Sequence, residues 1–164
     1  MRQQRGFGAI AAIVVLVILA TLSAAIVAVG TAQQTASAQD ILSARVWQAA
    51  RAGNEWGMFQ ALRSTGTWSV GAASDLCPAA GALGHGTAIT TTLDLTAVTG
   101  FHVTVTGDCW RYNEGQSPVT LLPATISVYR IKAVACPAAT CPASDASVAG
   151  PNYVERSRVV MATN

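Results

Sequence analysis

Charge is scarce in this sequence. Of 164 residues, 10 are Lys or Arg and 8 are Asp or Glu, 11% in all. Two of the basic residues, Arg2 and Arg5, stand in the first six positions, so the rest of the chain carries 8 basic and 8 acidic side chains and is neutral. No basic patch, charge run or basic-aromatic interleaving remains to argue for nucleic acid as a partner. Catalytic patterns are equally thin: there is no HExxH, no GxSxG, no phosphate loop and no pair of acids spaced for glycoside chemistry. His85, in Gly84-His85-Gly86, reads as a flexible turn, His102 as an exposed strand histidine, and Asp108, beside Cys109 and Trp110, as a loop acid. The sequence has no CxxC, and neither histidine stands at ligand spacing from a cysteine pair, which argues against zinc. An enzyme is not expected, nor is a cofactor or a metal.

What the chain does have is an apolar run. From Phe7 to Gly30, 24 residues pass without a charge. As a helix they reach about 36 Å, against about 30 Å for a bilayer's hydrocarbon core. Arg2 and Arg5 before the run predict a cytoplasmic N-terminus and an exported remainder. A secretory signal has an apolar core of about 7–15 residues, and the cut suggested by Ala36-Ser37-Ala38 before Gln39 lies well beyond this run. A plain single-pass anchor accounts for length and orientation, but not for the flanks. The run begins abruptly after Met-Arg-Gln-Gln-Arg-Gly, and the helical signal continues past Gly30.

That arrangement of a short basic leader, Gly6, then Phe7 and a long apolar helix resembles the leader of type IV prepilins. The resemblance implies a cut between Gly6 and Phe7 by the membrane prepilin peptidase and N-methylation of Phe7. A residue without a side chain lets the backbone approach a catalytic site closely, which gives Gly6 its role. One departure concerns the fifth mature position, where major pilins carry a glutamate and this chain has Ala11. That glutamate is thought to pair with the amine of a neighbouring subunit, because a charge in an apolar bundle is costly unless paired. A subunit lacking it fits a minor pilin at or near the filament tip.

From Thr31 to about Arg63 there is no proline, and apolar or small residues recur at helical spacing: Ala38, Leu42, Val46, Ala49, Gly53, Trp56, Phe59 and Leu62. A helix from Phe7 to about Arg63, 57 residues, would reach about 86 Å. Within it, QAARAGNEWGMFQAL, Gln48 to Leu62, resembles the corresponding segment of the MshP family of mannose-sensitive haemagglutinin (MSHA) pili, and more loosely the PilX-type minor pilins. Arg51 and Glu55 are four apart and can pair on one helix face; with Trp56 they are candidates for helix packing and assembly.

The remainder reads as strands: Ala88 to Leu95 is Thr-rich, Gly100 to Thr106 and Thr125 to Val134 alternate, and Tyr153 to Met161 closes the pattern. Pro118, Pro123, Pro137, Pro142 and Gly150-Pro151 punctuate it. Trp47, Trp56, Trp68 and Trp110 read as core and interface anchors. The closing YVERSRVVMAT resembles the last strand of MshP heads.

All four cysteines fall in this part, and an even count in an exported domain argues for disulfides. Cys136 and Cys141 flank four residues, a spacing that suits a small loop at a hairpin end, which leaves Cys77 with Cys109. Closing that loop is worth about 3–4 kcal/mol on the chain-entropy estimate.

The expected fold is α+β, the type IV pilin fold. It comprises a leader at 1–6, a transmembrane half-helix at 7–30, a periplasmic half-helix at 31–64 and a β-rich head at 65–164. The expected function is that of a minor pilin in pilus biogenesis. The protein would sit in the inner membrane with a periplasmic head, then pass into the extracellular pilus. Its partners would be other pilins and minor pilins through the N-terminal helix, the prepilin peptidase and the inner membrane before assembly. A type II secretion minor pseudopilin and a membrane-anchored periplasmic binding module are the alternatives.

Overall fold

A computed structural model describes residues 7–63, 65–69, 75–79, 82–118, 123–144, 146–150 and 152–164. The expected leader, 1–6, lies outside them. The chain divides into two compact units, Met1–Ile41 and Leu42–Asn164. Helix α1, Phe7–Leu62, contributes to both.

In the first unit α1 is apolar and exposed. Ile13, Leu16, Leu19, Leu22, Ile26 and Val29 are all uncovered, and the helix is long and apolar enough to cross a membrane. Four of its hydroxyls are satisfied locally. Thr21 donates to the Ile18 carbonyl, Ser23 to that of Leu19, Thr31 to those of Val27 and Ala28, and Thr35 to those of Thr31 and Ala32. None of these hydroxyls therefore needs water, the condition for residing in lipid.

In the second unit the rest of α1 packs on an antiparallel sheet of five strands. These are β1 (Gly84–His85), β2 (Ile89–Leu95), β3 (Phe101–Gln116), β4 (Pro123–Cys136) and β5 (Arg156–Thr163). A one-turn helix α2, Thr96–Thr99, joins β2 to β3 and closes on Gly100 at φ +84°. Strands β1 and β2 lie one after the other along the same edge of β3, then β4 and β5 follow as a meander. This is the α+β layout expected from the pilin resemblance. A bulge between Asn113 and Gly115 shifts the β3–β4 register, and Gly115, at φ +118°, supplies the backbone it needs.

Alternation sorts the sheet into two faces. Val103, Val105 and Cys109 of β3, with Tyr129, Ile131, Ala133 and Ala135 of β4, are buried under the helix; Thr104, Thr106 and Trp110 of β3 and Arg130 and Lys132 of β4 face outward. The two central strands run past their expected ends, while β5 begins at Arg156 rather than Tyr153. β3 continues ten residues beyond Thr106, and β4 extends to Pro123 and Cys136. In β3, Gly107, Asp108 and the polar residues from Arg111 onward interrupt the hydrophobic alternation, while the ladder to β4 continues.

The helix stripe needs correction. Val46, Ala49 and Gly53 are buried and Leu42 and Trp56 partly so, but Ala38, Phe59 and Leu62 are exposed. Ala50, Asn54, Gly57 and Ala61 are buried instead. Each three-residue step turns a helix about 60° short of a full revolution, so three in succession, from Gly53 to Leu62, lead to the opposite side. The residues at the seam are small, and the backbone approaches the sheet closely. A Cβ on Gly53 would stand 2.5 Å from Val103 Cγ1, and one on Gly57 2.5 Å from Ile131 Cγ2 and 3.0 Å from Val105 Cγ1. All three obstacles are β-branched side chains with little rotamer freedom.

Past Leu62 the chain folds back on the helix end. Gln60 Oε1 accepts hydrogen bonds from the Thr67 amide and hydroxyl, both at 3.1 Å, and the Trp68 amide donates to the Gln60 carbonyl. Trp68, buried, meets Trp56 edge-to-face with ring centroids 5.1 Å apart.

Gly57→Ala is expected to destabilise the head. Overpacking costs about 1–3 kcal/mol and exceeds the roughly 1 kcal/mol gain in helix propensity. Denaturant unfolding of the full chain in detergent should show a lower midpoint for Gly57→Ala and none for Gly30→Ala, whose Cβ would meet nothing within 4 Å. An unchanged or raised midpoint for Gly57→Ala would contradict the seam.

Candidate assembly surfaces

The residues singled out in the sequence fall in three places. Gly6 lies outside the described residues. Phe7 is the first residue of α1, and Ala11 is exposed on its apolar stretch. Arg51 and Glu55 pair at 2.9 Å on the solvent side of the helix, both more than half exposed. A pair so exposed is worth a few tenths of a kcal/mol at most. Trp56, on the opposite flank, belongs to the core with Trp68. Arg51 and Glu55 are therefore brought together, and Trp56 is separated from them.

The cysteines form two disulfides, Cys77–Cys109 and Cys136–Cys141, with Cα atoms 4.8 and 5.7 Å apart. They fasten different things. Cys136–Cys141 closes a short loop after β4 that folds over the outer face, where the Cys141 amide donates to Thr104 Oγ1 at 3.2 Å. Cys77–Cys109 ties a strap around Leu76 to the middle of β3, and Leu76 is fully buried beneath it. Arg111, itself buried, holds the same strap: its Nη1 donates to the carbonyls of Pro78 and Ala79 at 2.7 and 2.9 Å. The Gly86 amide adds a bond to the Cys109 carbonyl.

These clamps change the reading of His85. It is not in a free turn but in β1, paired with Trp110, its ring 4.8 Å from the indole. Nor is Asp108 a loop acid. It lies within β3 with its side chain 8% exposed, and its Oδ2 accepts from Arg130 Nε and Nη2 at 3.1 and 2.6 Å. Its Oδ1 is 3.6 Å from His85 Nε2. Arg130 also lies over the Trp110 ring at 5.0 Å. Burial of the acid is thus compensated by a charge-assisted contact anchored on an aromatic.

His102 is less exposed than expected, its side chain 22% uncovered beside Asp94 and the Cys141 loop. The Thr96 hydroxyl, then its amide, hold the Asp94 carboxyl below its ordinary pKa, with a smaller contribution from His102. Among the described residues, no three His, Cys, Asp or Glu side chains gather as a metal site. Two members of this set had no local signal. Asp108 and Arg130 are 22 residues apart and meet only through the β3–β4 register. The small residues of the seam were legible in principle, since Ala49, Gly53, Gly57 and Ala61 each follow the last by four.

Comparison with protein-family models, curated proteins and solved structures finds no match for this chain. Its residues and geometry are the grounds for a functional reading.

Among the described residues, four buried side-chain atoms lack hydrogen-bond partners: Asn54 Nδ2 and Oδ1, the Tyr129 hydroxyl and Arg158 Nη1. Burial, then the charge of Asp75, push the Tyr129 phenol above its ordinary pKa against the opposing effect of Arg111. Because the folded-state pKa is raised, the neutral phenol's contribution is intact below about pH 10 and is lost as pH rises beyond it. Tyr129→Phe, which removes the orphaned hydroxyl, is expected to match or exceed the parent's stability at neutral pH, by up to about 1 kcal/mol. It should also flatten the fall in stability above about pH 10. Urea unfolding at pH 7 and at pH 10.5–11 checks both, and a large loss at pH 7 would contradict this account.

Proposed function

We propose that this chain is a minor subunit of a type IV pilus, of the MSHA type, acting in pilus assembly by lateral packing of α1. The observation that carries the reading is the division of one helix: α1 runs unbroken from Phe7 to Leu62, apolar and uncovered over residues 8–29, and core-forming from Leu42 onward. An ordinary anchor has no reason to become the central core element of its own exported domain. A subunit whose helix must pass from lipid into a bundle of like helices does.

The physical basis is an exchange of equals. Lipid tails and the apolar faces of neighbouring helices are similarly apolar, so transfer is governed by packing rather than by burial from water. The uncharged stretch around Ala11 adds no ionised side chain to be neutralised on transfer. In the pilin scheme a neighbour's new N-terminal amine is then left without its usual acid, and this chain fits a place where one neighbour is missing, at or near the tip. The leader would be removed at the cytoplasmic membrane face, after Gly6, leaving the head on the periplasmic side until assembly.

Mass spectrometry of the protein purified from membranes tests the reading. The expected N-terminus is N-methylated Phe7, and Gly6→Val should accumulate uncut precursor. An N-terminus at Met1 would indicate a plain anchor, and one at Gln39 a discarded signal. Heads labelled on intact filaments are expected at one end, and labelling along the shaft would contradict the tip assignment.

A further inference from the structure

We propose that the free edge of β5 is a docking site for an extended segment of a partner protein that alternates apolar and acidic residues, added as a sixth strand. The inference does not depend on the pilin reading.

Bonding on β5 is fixed by its last residue. The Ser127 amide donates to the Asn164 carbonyl at 3.1 Å, and the Asn164 amide donates to the Ser127 carbonyl at 3.0 Å. In an antiparallel ladder, pairs that exchange both bonds alternate with pairs that exchange none. The register, Tyr129 with Ala162 and Ile131 with Val160, therefore turns the even-numbered residues of β5 toward β4. Ser157, Val159, Met161 and Thr163 turn their amides and carbonyls outward. No strand lies beyond them among the described residues.

Natural edges are usually blunted by prolines, bulges or charges. β5 has no proline and its register with β4 runs without a shift; its two charges, Arg156 and Arg158, are of one sign and stand at the inward-bonding positions, so they oppose a like strand but not an acidic one. The outward-bonding residues carry an apolar patch, with Val159 49% and Met161 68% exposed on the outer face. Beside the edge, on the helix side, stand Arg156 and Arg158. Arg158 lies over the Trp47 ring at 4.9 Å, and its buried Nη1 has no hydrogen-bond partner. Arg156 donates to its own neighbour's carbonyl, that of Glu155, while the Glu155 carboxylate accepts from the Tyr153 hydroxyl. Neither arginine has an ion pair among the described residues. An incoming strand would lie about 4.8 Å away, its apolar side chains beside Val159 and Met161 and its alternate side chains beside the arginines. Carboxylates suit those alternate positions. β2, the other long edge, offers no such combination: it is Thr-rich and carries Asp94.

The test uses the full chain in detergent micelles and three synthetic eight-residue peptides: alternating Val and Glu, alternating Val and Lys, and the Val–Glu peptide N-methylated along one edge. Amide hydrogen exchange of the free protein should show residues 157, 159, 161 and 163 exchanging fast and residues 158, 160 and 162 protected. The Val–Glu peptide should protect the four fast amides, and the other two should not. Val159→Pro removes an outward amide and leaves the β4 ladder intact, so binding should weaken at least about tenfold with the disulfides and the β4 protection retained. Arg156→Glu, at an exposed position, should shift the preference toward the Val–Lys peptide. Equal binding of both charged peptides, or none, overturns the proposal. So does protection of the four amides that grows with protein concentration alone, which would assign the edge to a second copy of this chain.

Discussion

The close approach of a helix backbone to a sheet is the constraint on which the head depends. At Gly53 and Gly57 the helix has no side chain to hold it off, so the sheet must supply the bulk, and it does so with Val103, Val105 and Ile131. The remaining helix contributions are small, Ala49, Ala50 and Ala61, with Val46 at one end and the Trp56–Trp68 pair at the other. A seam of this kind has little slack. Packing at interior density turns a change of one methyl group into a displacement of the whole helix. It also explains why the head needs staples outside the seam, since the strap over Leu76 is held by a disulfide and by Arg111, and the loop after β4 by a second disulfide.

The two parts of α1 illustrate two ways of treating a helix surface. Over the first, residues 8–29, large aliphatic side chains face outward on every side and the hydroxyls of Thr21 and Ser23 bond back to the helix's own backbone, so this stretch asks nothing of water. Over the second, one narrow face is stripped to small residues while Arg51 and Glu55 keep the opposite face solvated. On the sheet, the outer face is likewise divided. Asp108, Arg130, Trp110 and His85 form a compact polar-aromatic cluster near β1, whereas the β5 side carries exposed Val159 and Met161 beside an open edge. The two proposed contacts thus use different surfaces: the apolar stretch of α1 for lateral packing, and the β5 edge for strand addition.

Much of this was legible in the sequence because it is local. Hydrophobic length gave the apolar half of α1, the absence of proline its continuation, and cysteine spacing the two disulfides. What escaped was non-local or was carried by residues with little signal of their own. β1 has two residues and exists because Cys77, Arg111 and Gly86 fasten its neighbourhood to β3. Asp108, beside Cys109 and Trp110, reads as a loop acid, yet it lies in β3, where the preceding Gly107 sits under Trp68 and Leu76 and a Cβ would stand 2.7 Å from Leu76 Cδ1. Phe59 and Leu62 drew the stripe toward themselves by hydrophobicity, while Gly57 and Ala61, which are weakly hydrophobic, hold the seam. The ion pairs followed the same division: Arg51 and Glu55 could be paired from their spacing, whereas Asp108 and Arg130 required the β3–β4 register.

The central claim is that the apolar part of α1 is a working element that leaves the lipid to pack among other helices. A photo-crosslinking residue placed at Leu22, in filaments sheared from cells, tests it most directly. The account predicts covalent products with the apolar helices of other filament subunits. Absence of the chain from sheared filaments, with crosslinks to lipid alone in the membrane fraction, would contradict it.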